Sequence, residues 1–381
     1  MSIIDTIRGF AQKNGFGGGS KEKGVVGVDI GSSAIKVVQL HNEGGVVHLD
    51  TYGEMALGPL NKSEVGQATN LPAEEIAQAL SELCKEAEVT AEVCGVSVPF
   101  SSSLVKLIEV PPMDPQKLAT VIPIEARKYI PVPISEVQLD WFIVPETEQR
   151  LFEGETDMSK AHKELQRRLV LVVAMHDEVL HRYNTAVSKV GLLPLFYEIE
   201  VFSSVRATVS HSIAPVAILD IGAGTAKLYL VELGIVLASH IISVGAQDIT
   251  RSLSSSTHVS LAEAEEMKRN IGIAQNTGDI RADQIAHLSI LTMERVCVET
   301  RRVIAGFQKK YNKVITKVIL VGGGASLKGF EDLAKQQLEI EIEVANPFLH
   351  IHAPAFLEQS LREIGPTFST AIGLALRGLK E

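Results

Sequence analysis

Cysteine is scarce in this chain: Cys84, Cys94 and Cys297 are the only three in 381 residues. They form no CxxC pair and no ligand spacing with histidine. So odd and sparse a count points to a reducing cytosol and excludes a disulfide framework or a zinc site built on them. Positive charge is also short, with 36 Lys and Arg against 46 Asp and Glu, a net charge of −10. A general nucleic-acid binder needs a basic face to neutralise phosphates, so that class is set aside. Long apolar runs are missing too. The longest, from Leu169 to Met175, has the length of a buried strand and falls far below the roughly 18 residues of a spanning helix. The N-terminus carries no apolar h-region or cleavage site. The expectation is a cytoplasmic protein whose contact with any membrane is indirect. Hydrophobic content of 45% with 22% charged residues is that of a globular protein, and the length favours two domains.

What is present is a phrase stated twice. Residues 25–40 read VVGVDIGSSAIKVVQL and residues 216–231 read VAILDIGAGTAKLYLV. Each is an apolar, β-branched run ending in Asp-Ile-Gly, then mostly small residues, a Lys and a second apolar run. Asp29 and Asp220 are 191 positions apart, half the chain. Repeats of twenty to fifty residues signal solenoids; a half-chain repeat signals two copies of one domain. A carboxylate and a tight glycine turn between buried strands suit a phosphate and its magnesium.

Around these hairpins the pattern alternates. Ile3, Ile4, Ile7, Phe10 and Ala11 share one helical face, and a Gly-rich tether follows. A helix is expected from Pro72 to Ala87, with Asn70 as its cap signal and Pro72 as its first-turn signal. VCGVSVP and LVKLIEV read as strands, Pro115 to Tyr129 as a helix, and QLDWFIV and RLVLVVAM as strands. This β-β-α-β-β block looks like an insertion. A helix from Asp177 to Val190 and the strand LLPLFYEI resume the parent domain. After the second hairpin come a mostly helical stretch from Ala246 to Lys310, then KVILVGGGASLKGF as strand, glycine turn and helix, then the strand IEIEVANP. Alternating strands and helices give an α/β class.

Asp29 and Asp220 are the candidate metal ligands, because a hard cation takes oxygen donors; alone, either could simply cap a turn. Gly31, Ser32, Ser33, Gly222, Gly224 and Thr225 are small enough to bring backbone N–H groups to phosphate oxygens. Lys36 and Lys227 each lie seven residues beyond their aspartate. Lys36 opens its return strand and can point into a cleft, and Lys227 can do the same or sit exposed on its strand. Gly322, Gly323 and Gly324 between strand and helix permit close backbone approach. No Gly-Lys-Ser/Thr follows them, so this is not a P-loop, and Gly222 to Lys227 does not complete GxGxxG. Glu265 and Lys268 share a helix face, as a ligand pair or as a solvated ion pair. Glu200, at a strand-to-helix junction, can orient a water or merely favour the helix macrodipole.

Taken in order, these pieces resemble the actin, Hsp70 and sugar-kinase superfamily, whose motifs run phosphate 1, connect 1, phosphate 2, adenosine and connect 2. Here they correspond to Asp29–Lys36, the segment from Glu200, Asp220–Lys227, Val321–Ala325 and the helix Ser369–Leu379 with small Ala371, Gly373 and Ala375. The resemblance implies an actin/Hsp70-like (ribonuclease-H-like) two-domain fold that binds ATP and Mg²⁺, with Glu265 and Lys268 on the nucleoside. It also implies Glu200 and Asp220 as the pair positioning an attacking water, although Val201 replaces the proline that often follows such a glutamate. The insertion and the segment IEARKYIPVPISEVQLDW, through Tyr129, Ile130, Pro131 and Pro133, resemble the PilM family of type IV pilus assembly proteins. The implied subdomains are 1A (24–92 and 172–212), inserted 1C (93–171), 2A (213–250 and 313–381) and 2B (251–312), after the N-terminal helix and tether (1–23). The implied role is a scaffold at the inner membrane that binds the N-terminal cytoplasmic peptide of a PilN-type protein, alongside other pilus proteins and self-association. Leu107, Ile108, Tyr129, Ile130 and Val132 are candidates for that groove, and each is equally a core candidate. ATP hydrolysis is left open as weak. The alternative is a membrane-associated, filament-forming protein like FtsA.

Overall fold

The computed structural model describes residues 24–145, 168–209, 214–273 and 279–381. The N-terminal helix and tether, and most of the polar loop expected after Val144, lie outside the described residues.

The half-chain repeat folds into two sheets of the same plan. The first contains β1 (Val25–Ile30), β2 (Ala34–Glu43), β3 (Val46–Ala56), β4 (Val93–Val98) and β8 (Leu193–Ile199), in the order β3-β2-β1-β4-β8. The second contains β9 (Val216–Ile221), β10 (Ala226–Glu232), β11 (Ile235–Ile242), β12 (Lys317–Val321) and β13 (Glu341–Val344), in the order β11-β10-β9-β12-β13. In both, the central strand pairs antiparallel with its hairpin partner and parallel with the strand on its other side. Strands β1 and β9 are buried along their whole length. That is why they read as continuous apolar runs without alternation.

A third sheet of three strands, β5-β7-β6, is formed by β5 (Ser103–Val110), β6 (Val137–Ile143) and β7 (Arg168–His176). It starts one strand later than the sequence reading placed it. Val93–Val98 pairs parallel with β1, Val25 to Val93 through Val28 to Val96, and so completes the first sheet. An apolar strand advertises burial but not which sheet buries it. The helix Pro115–Ala126, α2 of the chain, covers the third sheet through Leu118, Ile122 and Ala126, with Ile108 and Ile130 in the same core. Those two groove candidates are therefore core residues, whereas Tyr129 is exposed beneath the Lys106 ammonium, 5.5 Å from its ring centre.

Helix α1 (Ala73–Glu86) buries Ile76, Ala77, Leu80 and Leu83 on one face. Its N-cap is Pro72 with no side-chain cap. Asn70, expected as the cap, instead accepts a 2.6 Å hydrogen bond from Arg182. Helices α3 (Asp177–Lys189) and α4 (Glu200–Thr208) flank β8, while α5 (Ala246–Thr257), α6 (Leu261–Ile271) and α7 (Ile280–Tyr311) fill the helical stretch, and α8 (Phe330–Leu338) follows the glycine turn. The last helix, α9 (Glu358–Gly378), begins a full three turns before the expected Ser369 and holds Pro366 inside it. Its small face packs closely on two backbones. A Cβ on Gly27 would lie 1.9 Å from Ala371 O, and one on Gly373 2.0 Å from Ser203 O. Only glycine lets α9 reach β1 and α4 so closely.

Alpha 9 is also held by a buried charge cluster. Arg377 and Glu198 are each about 2% exposed and meet at 2.8 Å. Arg206 adds two 2.7 Å bonds to Glu198 and one of 2.9 Å to Gly373 O. The Arg377 guanidinium lies over the Phe196 ring, 4.0 Å from its centre. Burial works to raise the Glu198 carboxyl, but the two arginines and Ser203 outweigh it and hold it below the usual glutamate value.

Candidate functional site

Both hairpins place their aspartate and lysine in the same register. Asp29 sits opposite Lys36 and Asp220 opposite Lys227. A seven-residue spacing across a tight turn does this, since directly opposed residues share a face of the pleat. The turns close in the same way, with Gly31 N donating to Ala34 O and Gly222 N to Thr225 O, each at 3.0 Å.

The hairpins face one cleft of about 400 Å³. Its walls include Asp29, Gly31, Ser32, Ser33, Lys36, Glu200, Asp220, Gly222, Lys227, Glu265, Lys268, Gly322, Gly323 and Gly324. Two expected residues are not among them. Gly224 packs toward Ala68 and Gln247, and Thr225 turns its carbonyl to Gly222 N. Ala223 lines the wall in their place, because the loop folds under α5: a Cβ on Gly245 would lie 2.2 Å from Ala223 O.

At the first aspartate the support is neutral. Ser97 Oγ donates to Asp29 Oδ1 at 2.8 Å and itself accepts from Ile30 N at 3.0 Å. At the second it is ionic. Lys227 Nζ lies 2.9 Å from Glu200 Oε2 and 3.4 Å from Asp220 Oδ2. Burial opposes the Lys227 ammonium, but Glu200 and Asp220 outweigh it and raise its pKa. Glu200, the first residue of α4, has its other oxygen on Phe100 N at 2.6 Å. Burial raises its carboxyl above the usual range, and nearby Asp220 adds to that despite Lys227.

The glycine turn supplies the third wall. A Cβ on Gly322, at φ +82°, would lie 2.4 Å from Asp220 Oδ1, and one on Gly324 2.2 Å from Ile221 Cγ2. Gly322 N donates to Pro366 O at 2.8 Å, which ties the turn to α9. A Cβ on Gly323 would meet nothing within 4 Å. The outer glycines thus serve packing, and the middle one presents open backbone.

The fourth wall is buried charge. Glu265 Oε2 accepts from Lys268 Nζ at 2.6 Å and from Thr250 Oγ1 at 2.7 Å, while Arg269 Nε donates to Oε1 at 2.8 Å. Burial pushes the Glu265 carboxyl up, but Lys268, Arg269 and Thr250 hold it below its usual value. This is no solvated ion pair, since both partners are buried. Sequence reasoning missed several neighbours: Gly66, Ile249, Arg269, Met293 and Glu363 also line the cleft. Arg269 lies four residues past Glu265 and could have been found by that spacing. Gly66 had no local signal; at φ +84° its Cβ would lie 2.7 Å from Glu265 Cδ, so it brings the first half of the chain onto the second. Beside it Ala68 N donates to Gln247 Oε1 at 3.0 Å.

Two sheets of one topology, each delivering an aspartate hairpin to a shared cleft, define an actin-like α/β protein. The family model described as "Type IV pilus assembly protein PilM" matches residues 27–379, and the chain belongs to that family. Among solved structures, the chain is similar to one titled "PilM-PilN type IV pilus biogenesis complex", at 27% identity and TM-score 0.76, covering 94% of this chain and 99% of that one. It also shares its fold with the ethanolamine utilization protein EutJ from Carboxydothermus hydrogenoformans, at 17% identity and TM-score 0.54, covering 94% and 91%. A curated relative, cell division protein FtsA of Bacillus subtilis (strain 168), is 21% identical over 256 residues, 61% of this chain. The chain spans just over half of that relative's length, 57%. Among the described residues no helix is long and apolar enough to cross a membrane.

Proposed function

We propose that this chain is an ATP-binding scaffold of type IV pilus assembly, peripheral to the inner membrane on its cytoplasmic side. It takes the N-terminal peptide of a PilN-type membrane protein, with nucleotide setting its conformation. The observation that carries the reading is the convergence of Asp29, Asp220, open Gly323 and the buried Glu265–Lys268 pair on one cleft. The donor set fits the ligand. Asp29 and Asp220 offer the oxygen donors a magnesium ion takes, and such an ion keeps most of its water in phosphate sites. Gly31, Ser32, Ser33, Lys36 and Gly222 suit phosphate oxygens, and Glu265 and Lys268 suit the nucleoside. When bound, magnesium supplies charge neutralisation at the phosphates.

Hydrolysis in this reading is weak. Both Glu200 oxygens already accept a hydrogen bond, from Phe100 N and from Lys227, which leaves fewer of its lone pairs to orient a water. Nucleotide then acts mainly as a ligand that shifts conformational populations. Extended peptides are commonly taken at apolar pockets beside a sheet, which favours the third sheet as the docking region. Fluorescence anisotropy of a labelled PilN-type N-terminal peptide tests the function. Saturable binding whose affinity changes on adding ATP and Mg²⁺ supports it; no binding in either condition rejects it.

A further inference from the structure

The far end of the first sheet carries a histidine cluster that the cleft does not use. His41 and His48 are direct cross-strand partners on β2 and β3, and Glu43 is two residues beyond His41, on the same face. The ligand atoms of His41, Glu43 and His48 all lie within 4.8 Å of one another. The register between β2 and β3 shifts at Gln39/Leu40, where Gln39 pairs with Thr51 and Leu40 with Leu49. Asp50 is therefore the extra residue of a β-bulge, a feature that re-aims side chains.

Its carboxylate is aimed inward at two donors. Gln39 Nε2 donates to Oδ2 at 3.0 Å, and His41 Nδ1 lies 2.6 Å from Oδ1. A carboxylate can only accept, so the proton sits on Nδ1 and the lone pair of His41 is on Nε2. This carboxylate–histidine arrangement is the one that fixes the tautomer of metal-ligating imidazoles. The neighbouring loop closes on the same spot. His352 pairs with His48 as an isolated bridge and meets its ring edge-on at 4.7 Å, with Leu49 N donating to His352 O and His352 N to Val47 O.

We propose that His41, Glu43 and His48 form a site for a divalent transition-metal ion of the Zn²⁺ type, with Asp50 as the orienting residue behind His41. Two imidazoles and a carboxylate are a donor set for zinc and its neighbours, not for magnesium. The rings of His41 and His48 stack at 5.0 Å and 15°. Binding turns the two rings so that their nitrogens converge on the ion. The ion would clasp the end of the β2–β3 hairpin, distant in the sheet from Lys36 and the cleft.

The test is equilibrium dialysis of the untagged full chain against Zn²⁺ with excess Mg²⁺, followed by metal analysis, and visible absorption on loading with Co²⁺. Parent protein is expected to hold one Zn²⁺ that Mg²⁺ does not displace and to give the d–d bands of a histidine-bound Co²⁺ site. The double variant His41→Ala/His48→Ala should lose that equivalent, and Asp50→Asn should weaken it about 10–100-fold. Circular dichroism checks that the variants are folded, and His352→Gln, which leaves all three ligands in place, is a second probe that should keep the stoichiometry. No bound Zn²⁺ in the parent, or an unchanged equivalent in the folded double variant, overturns the proposal.

Discussion

The two hairpins share a sequence phrase, a strand order and an Asp–Lys register, yet they are electrically different. At the first, Asp29 is supported by the neutral Ser97 hydroxyl, and Lys36 lies 3.7 Å from Glu54 on the cleft wall. At the second, Lys227 turns inward and bridges Glu200 and Asp220. The difference lies outside the phrase. On the first side β4 contributes Ser97, whereas on the second α4 places Glu200 over the lysine. Local sequence sets where a carboxylate stands, and its partners come from elements far along the chain.

The largest expected effect breaks the ionic side. Lys227→Met leaves two buried carboxylates uncompensated and should cost about 3–5 kcal/mol in urea unfolding. Lys36→Met, the matched change in the first hairpin, should cost about 1 kcal/mol or less, because its partner Glu54 is exposed. Equal costs would erase the distinction between the hairpins.

The glycine turn sharpens the comparison next. Gly322→Ala should destabilise by about 1–3 kcal/mol, since its Cβ would strike Asp220 at a positive φ. Gly323→Ala should leave unfolding within about 0.5 kcal/mol of the parent while weakening nucleotide binding by titration calorimetry. Unchanged affinity in Gly323→Ala would remove that backbone from the site.

The Glu198 cluster sits at the outer strand of the first sheet; the matching strand β13 of the second sheet carries exposed Glu341 and Glu343 instead. The folded-state pKa of Glu198 is lowered from 4.5. Its contribution is therefore fully present above about pH 4.5 and is lost as pH falls through the folded value. Glu198→Gln should flatten that acid limb of the stability profile and lower stability at neutral pH, since it removes one partner of a buried charge cluster. An unaltered acid limb would show the cluster to be inert. The smallest effect is expected at Asn70→Ala, which severs only an exposed bond to Arg182 and should change stability by less than about 0.5 kcal/mol.

Much of this was legible in the sequence. The repeated Asp-Ile-Gly phrase foretold two hairpins, but the seven-residue spacing left Lys227 open to an exposed place on its strand, whereas it stands opposite Asp220 and is held by Glu200. Three consecutive glycines marked the turn, and Ala371, Gly373 and Ala375 marked the face that reaches β1 and α4. What stayed hidden depended on distant partners. Val93–Val98 was readable as a strand, but only its pairing with β1 assigns it to the first sheet. Glu198, Arg206 and Arg377 share no periodicity, so the cluster emerges only when α9 crosses β8 and α4. The early start of α9 was obscured by Pro366, whose carbonyl is taken up by Gly322 N. Gly224 and Thr225 looked like phosphate contacts because sequence spacing cannot show which way a loop folds under the next helix.

The central claim, one nucleotide held between the two hairpins, is tested most directly by thermal unfolding with and without ATP and Mg²⁺, on nucleotide-free parent and Asp29→Ala. At about a hundred times its dissociation constant, a ligand of the native state alone adds about 2.7 kcal/mol. The account predicts a clear upward shift in the parent that Asp29→Ala reduces. No shift in the parent, or a full shift in a folded Asp29→Ala variant, would contradict it.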